Sequence, residues 1–188
     1  MSKALLAAAL GWGLDSFDFY LYVYALPAIL LTFHAGNTAG GLLATYTLAA
    51  SAVGGVAMGM LADRVGRART LMISIAWFAL FTFLSGLAQS YTQLAVFRAL
   101  EGLGFGGEWA VGSVLIAEWS KNETRRNLGF VQSSWAIGWL AANVVFQIVA
   151  LTMPQHLAWR VLFFVGILPA LAVFYIRRNV SDAPVFRA

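Results

Sequence analysis

Six apolar stretches, most of them long enough to cross a lipid bilayer, constrain this chain more than any other feature. They run over residues 4–33, 41–62, 70–88, 94–117, 128–153 and 161–176. A helical span needs about 20 apolar residues. Lipid contains no water that could form hydrogen bonds with unpaired backbone groups, so a spanning segment has to satisfy these groups internally. Only 11% of the residues are charged, against roughly 25% in soluble domains. The sequence therefore predicts an all-α integral membrane protein with six spanning helices.

The first stretch follows Lys3 and has to be distinguished from a secretion signal. Asp15 and Asp18 interrupt it, and it is longer than the apolar core of about 7–15 residues in a signal peptide. We expect a retained helix.

Basic residues fall almost entirely on one side of the predicted membrane. Arg160 stands alone on the other side, and Arg98 lies inside the fourth span. The crowded side holds Lys3, Arg64, Arg67, Arg69, Lys121, Arg125, Arg126, Arg177, Arg178 and Arg187. The positive-inside rule then places both termini in the cytoplasm. This placement also accounts for the net charge of +4 without a nucleic-acid partner.

Five ionisable residues lie inside predicted spans, where each costs a few kcal/mol and indicates function by default. They are Asp15, Asp18, Arg98, Glu101 and Glu108.

Asp15 and Asp18 share one face of the first helix with Gly11 and Tyr22. Two poorly hydrated carboxylates this close do not both ionise easily, so one can hold a proton. Pairing with Arg98 is the alternative.

In the fourth span, Arg98 and Glu101 can form a local ion pair, which would make them structural. Glu108 lies near the middle of the span without a local cation. It is a second candidate proton site.

The fifth span carries a polar and aromatic stripe at helical spacing. Its members are Gln132, Trp135, Trp139, Asn143 and Gln147. Aromatic residues also form interfacial belts, but Trp135 and Trp139 lie within the span. The stripe therefore favours a solute cavity lined by spans one, two, four and five, with the apolar spans three and six outside it.

Small residues permit close helix packing in two spans. They are Ser51, Gly54, Gly55 and Gly59 in the second span, and Gly102 and Gly106 in the fourth.

The residues do not indicate an enzyme, a metal site or a cofactor. There is no cysteine, and the two histidines fall in predicted outer loops. The glycine run 102–107 could suggest a nucleotide fingerprint, but it lies in an apolar span and follows no strand.

Two motifs resemble those of the major facilitator superfamily. Residues 59–69, GMLADRVGRAR, are similar to its loop between helices two and three, with Ala68 departing at one basic position. Arg98, Gly102, Gly104 and Gly106 are similar to its helix-four motif. The resemblance implies the N-terminal six-helix bundle of such a transporter, a 3+3 inverted repeat over residues 1–178. Residues 179–188 would then begin the central cytoplasmic loop.

A narrower resemblance is to proton symporters for organic acids, the sialate and aromatic-acid branches. The sequence Asp15-Ser16-Phe17-Asp18 is similar to their D-G-F-D, with Ser16 in place of glycine. Gly106-Gly107-Glu108 and residues 159–169 resemble the sialate branch.

The resemblance implies roles for several residues. Asp15 and Asp18 match an acidic pair tied to transport. Tyr22, Arg98, Glu101 and the fifth-span stripe would line the cavity. The cytoplasmic gate would comprise Gly59, Asp63, Arg64, Gly66, Arg67 and Arg69, with Glu118 as a partner.

The sequence thus predicts half of a proton-coupled importer of an organic anion in a bacterial inner membrane. Its expected partners are the anion, the bilayer, and a second six-helix half or a homodimer mate. The alternatives are a truncated six-helix module that does not transport, and a sugar or drug carrier of the same fold.

Overall fold

The computed structural model describes residues 3–120, 124–168, 170 and 171, and these ranges fold into six α-helices. The helices are α1 Lys3–Thr32, α2 Asn37–Val65, α3 Arg67–Gly86, α4 Tyr91–Ser120, α5 Thr124–Thr152 and α6 Gln155–Val165. No strand occurs in this described part of the chain. The prediction of an all-α, six-helix architecture is confirmed.

Each helix begins before the apolar span from which it was predicted. For example, α2 begins at Asn37 rather than at residue 41, and α6 begins at Gln155 rather than at residue 161. Apolar composition marks only the hydrocarbon layer, whereas the helical hydrogen bonds continue into the headgroup region. The sixth helix gives way to a turn at residues 166–168, and the end of its predicted span lies outside the described residues.

Four of the described helices are long and apolar enough to cross a membrane: α1 from Leu5, α2, α3 and α5. The fourth helix is 30 residues long, about 45 Å at 1.5 Å per residue, but it contains three of the buried ionisable residues. The described part of α6 has 11 residues.

A single residue separates α2 from α3. Gly66 adopts φ 108° and ψ 149°, a backbone conformation that side chains with a Cβ rarely adopt. Its N–H bonds back to the Ala62 carbonyl, and its own carbonyl accepts the Thr70 N–H at 3.1 Å. This glycine therefore allows the two helices to follow each other almost without a loop.

Glycines bring α2 and α4 into backbone contact. A Cβ added at Gly102 would overlap the Thr47 carbonyl, and one at Gly106 would overlap the Ser51 carbonyl. Gly54 lies in the same way against the backbone of Leu103. The predicted close packing of spans two and four is therefore present, as small residues permit in membrane helices.

The third helix is more buried than its apolar sequence predicts. Half of its most apolar stretch is buried, compared with 17% for α2 and α5. Ser74 donates a hydrogen bond to the Gly104 carbonyl on α4 at 2.7 Å. The inner face of α3 therefore packs against α4, and its Phe78 lines the cavity described below, contrary to the expectation that α3 lies outside the cavity.

The described residues include three buried apolar clusters. One contains Leu21 and Trp159, the second contains Leu71 and Leu115, and the third contains Ile116. Along α4, the ionisable residues lie between members of the first cluster and members of the second.

Candidate functional site

The five ionisable residues predicted inside the membrane form one buried cluster between α1 and α4. None is more than 4% exposed. They are Asp15, Asp18, Arg98, Glu101 and Glu108. Four acids and one base in a water-poor interior cannot all be charged without a large desolvation cost.

Arg98 neutralises one part of this cluster. Its Nη1 donates to both carboxylate oxygens of Glu101, at 2.7 and 2.6 Å, and lies 3.8 Å from Oδ2 of Asp18. The guanidinium also sits over the Tyr22 ring, 4.1 Å from its centroid. The predicted local pair of Arg98 and Glu101 is confirmed, and Asp18 shares the same cation.

Asp15 and Glu108 form the other part of the cluster, and no positively charged side chain of the described residues pairs with either of them. Their carboxyl groups are neighbours across the α1–α4 contact. No donor among the described residues reaches any of their four oxygens. Gly11, one turn before Asp15, leaves room for Glu108 Oε1, which a Cβ at that position would displace. Two facing acceptors without a donor can bond to each other once a single proton lies between them.

A cavity of about 150 Å³ opens beside the cluster. Polar residues from the prediction line it together with apolar side chains from α1, α2 and α4. The predicted members are Asp15, Asp18, Tyr22, Arg98 and Glu101. Phe78 adds a side chain from α3, and the described lining includes no residue of α5.

The predicted cavity residues of α5 lie on a different surface. Trp135, Trp139 and Asn143 pack against another face of α1, and Gln132 is exposed. The prediction of one cavity containing both groups stays a prediction, because in this structure they line different surfaces. The reason is that α1 stands between them, with Tyr22 on its inner face and Tyr24, about 200° away, on the face toward α5.

Aromatic residues of three helices form this second surface, which we call the aromatic panel. Its members are Trp12, Tyr20, Tyr24, Trp109, Trp135 and Trp139. The Trp12 ring lies 4.3 Å from Trp109 and 4.8 Å from Trp135, centroid to centroid. The sequence reasoning missed Trp12, Tyr20, Tyr24 and Trp109. The four-residue spacing of Tyr20 and Tyr24 on a span could have indicated them.

The predicted gate residues lie together at one end of α2 and α3. Arg67 bonds to Asp63 at 2.5 Å, and Gly66 forms the turn between them. Arg64 and Arg69 are exposed. A Cβ added at Gly59 would face open space. The side chain of Glu118 lies outside the described residues, so its predicted pairing stays a prediction.

Comparison with known proteins identifies a family. Residues 8–188 match the model of the Major Facilitator Superfamily. The chain is 48% identical, over 98% of its length, to a probable 4-methylmuconolactone transporter of Cupriavidus pinatubonensis, and covers 43% of that protein. It is 36% identical, over 89% of its length, to the cis,cis-muconate transport protein of Acinetobacter baylyi, covering 40% of it.

The fold is also similar to a solved structure. The xylose transporter XylE from E. coli, in a partially occluded inward-open conformation, superposes with a TM-score of 0.89 at 20% identity. That alignment covers 98% of this chain and 49% of the xylose transporter. The chain thus spans less than half the length of each of these proteins.

Proposed function

Because this chain belongs to the major facilitator superfamily, we propose that it supplies the N-terminal half of a secondary transporter for a small organic anion, driven by protons. The family comprises transporters rather than enzymes, and four apolar helices support a multi-pass membrane protein. The proposal concerns the coupling ion, the substrate class and the second half.

The charge balance of the buried cluster is the observation that favours proton coupling. If all five groups were ionised, Arg98 would offset one of four negative charges and leave a net charge of −3. Glu101 and Asp18 share that cation, whereas Asp15 and Glu108 have no hydrogen-bond donor among the described residues. We assign the transported proton to the Asp15–Glu108 pair, with Asp18 as its link to Arg98.

Electrostatics couples this proton to an anionic substrate. At an effective dielectric constant of about 20, unit charges about 8 Å apart interact by about 2 kcal/mol, or about 30-fold in affinity. An ionised cluster repels an incoming carboxylate, and each proton bound removes one such repulsion. Anion binding and proton binding therefore favour each other, as symport requires.

The relatives support the proposed substrate class. Two of them are described as transporters of 4-methylmuconolactone and of cis,cis-muconate. Both names denote small unsaturated organic acids. We propose a substrate of the same chemistry, bound between this bundle and a second six-helix unit near the middle of the membrane. The second unit is either a C-terminal half or another copy of this chain.

The Asp63–Arg67 pair serves as one side of the gate in this proposal. It joins the ends of two helices that are separated by one residue. Alternating access requires such end contacts to form and break between states that differ by a few kcal/mol.

A chimera tests proton coupling. This chain would be fused to the C-terminal half of the 48%-identical transporter and reconstituted in vesicles with labelled muconate. We expect an inward proton gradient to drive accumulation. Glu108→Gln should abolish gradient-driven accumulation but retain exchange of labelled for unlabelled anion, because exchange needs no net proton movement.

The matched control is Asp63→Asn, which removes an exposed carboxyl of the gate. It should slow both accumulation and exchange while preserving the dependence on the gradient. Full gradient-driven accumulation by Glu108→Gln would exclude Glu108 as a coupling residue, and accumulation by the parent chimera without any gradient dependence would exclude symport.

A further inference from the structure

The aromatic panel contains hydrogen-bond donors that the described residues leave without acceptors. The Tyr24 hydroxyl oxygen accepts from Trp139 Nε1 at 3.0 Å and from Asn143 Nδ2 at 3.2 Å. A phenolic oxygen has two lone pairs and one proton, so both acceptor positions are filled. With the Asn143 amide in this orientation, the Tyr24 O–H bonds to no acceptor among the described residues and is free to donate outward.

Trp12 adds a second donor at the centre of the panel. Its indole Nε1 is buried and has no acceptor in the described ranges. Its ring is close to both Trp109 and Trp135, so the three indoles from α1, α4 and α5 form one continuous surface. Trp109 is 39% exposed and Trp139 is 43% exposed, which leaves that surface accessible.

The pattern along α5 indicates that the panel faces a polar environment rather than lipid. The exposed residues of α5 change in character around the helix at about 100° per residue, and exposed Leu140 lies between the two sides described next. One side is aliphatic, with Ile137, Val144 and Ile148 exposed. The other holds the panel tryptophans, with Gln132 and Gln147 exposed. The amides of Gln132 and Gln147 would lack hydrogen-bond partners if they faced lipid. The aliphatic side of α5 therefore suits contact with lipid, and the side with the panel suits contact with a solute.

We propose that the aromatic panel is the binding surface for a planar, conjugated carboxylate, with the Tyr24 O–H donating to its carboxylate oxygen. Indole faces stack on flat π systems better than on flexible saturated chains. The Tyr24 hydroxyl, as a donor within the panel, suits a carboxylate, with which hydrogen bonds are strong. This inference rests on the proposed function, and it adds which surface selects the substrate and by what chemistry.

Binding of two matched acids tests this selection. The probes are cis,cis-muconate and adipate, which have the same carbon number and charge but differ in conjugation. Binding to the chimera of this chain with the C-terminal half of the 48%-identical transporter, held in lipid nanodiscs, would be measured by calorimetry without a proton gradient. We expect muconate to bind at least about tenfold more tightly than adipate. Equal affinities, or no binding of muconate, would overturn the proposal, and this comparison requires no variant to fold.

Two variants locate the selection. Trp135→Leu should reduce the affinity for muconate about tenfold and leave adipate binding unchanged, because it removes stacking alone. The matched control is Trp77→Leu, since Trp77 lies on α3 outside the panel. It should leave both affinities unchanged. An equal loss in both tryptophan variants would contradict the assignment.

Tyr24→Phe should lower the binding affinity for both acids about tenfold, because both have the carboxylate to which the hydroxyl donates. Tyr46→Phe makes the same chemical change on α2, where Tyr46 is 42% exposed, and should have no effect. Unaltered binding by Tyr24→Phe would remove the hydroxyl from the site.

The outcome is separable from that of the proposed function. If muconate binds more tightly than adipate in nanodiscs but the chimera shows no gradient-driven uptake, proton coupling is rejected and the panel remains the binding surface. If the chimera shows gradient-driven uptake but binds both acids equally, the panel is rejected as the binding surface and proton coupling remains.

Discussion

Removing Arg98 is the most informative perturbation of stability, because this side chain neutralises two buried carboxylates. Arg98→Met keeps the length of the side chain but leaves Glu101 and Asp18, each 1% exposed, without a cation. Breaking a buried ion pair by removing one partner costs about 3–5 kcal/mol. The lost stacking of the guanidinium over Tyr22 adds about 0.5–2 kcal/mol. We expect Arg98→Met to lower the free energy of unfolding by at least about 3 kcal/mol.

The assay is unfolding in mixed micelles by titration with a denaturing detergent, followed by far-ultraviolet circular dichroism. The loss of unfolding free energy in Arg98→Met should become smaller as the pH falls, because protonated carboxyls no longer need a counter-charge. The double variant Arg98→Met/Glu101→Met should recover part of the loss, since an apolar pair can replace a buried ion pair at little cost. The control Arg69→Met changes an exposed residue of α3 and should cost less than about 0.5 kcal/mol.

Two results would refute this reasoning about the cluster. One is a loss of less than about 1 kcal/mol in Arg98→Met. The other is a double variant that is no more stable than the single one, which would mean that Glu101 does not depend on Arg98.

The remaining predictions concern packing, the gate and topology. Gly106→Val should destabilise the chain by about 1–3 kcal/mol in the same titration, because the valine side chain would overlap the α2 backbone. Gly112→Val is the control on the same helix, where an added Cβ faces open space, and it should not show this loss from overpacking. Equal losses in the two variants would contradict the role of Gly106 in close packing. Asp63→Asn should shift the chimera toward the inward-open state, seen as faster labelling of single cysteines placed at the cytoplasmic side of the cavity; unchanged labelling with normal uptake would exclude the gate role. Reporter fusions after Arg69 should report the cytoplasm and those at Gln155 the periplasm, and the reverse pattern would refute the orientation predicted from basic residues.

The sequence predicts features that depend on one helix at a time. Apolar runs locate the helices, and the three-residue spacing of Arg98 and Glu101 predicts their pair, because positions i and i+3 share a helix face. Glycines 102 and 106 likewise predict close packing of α4, since small residues alone allow backbones to touch.

Features that depend on the register between helices could not be predicted. Asp15 lies beside Glu108 because α1 and α4 cross at Gly11, and nothing in either helix alone specifies that crossing. The separation of the α5 tryptophans from the buried cluster has the same origin. Helical periodicity identified the face of α5 on which Trp135 and Trp139 lie, but not the helix face that this stripe meets.

In the proposed mechanism, this bundle transports only together with a second six-helix unit. The most direct test is reconstitution of the purified 188-residue chain in vesicles at an average of well under one copy per vesicle, with labelled muconate and an inward proton gradient. We expect no saturable uptake under this condition, and saturable uptake in chimera vesicles at the same occupancy. Saturable, proton-dependent uptake by single copies of the chain alone would contradict it.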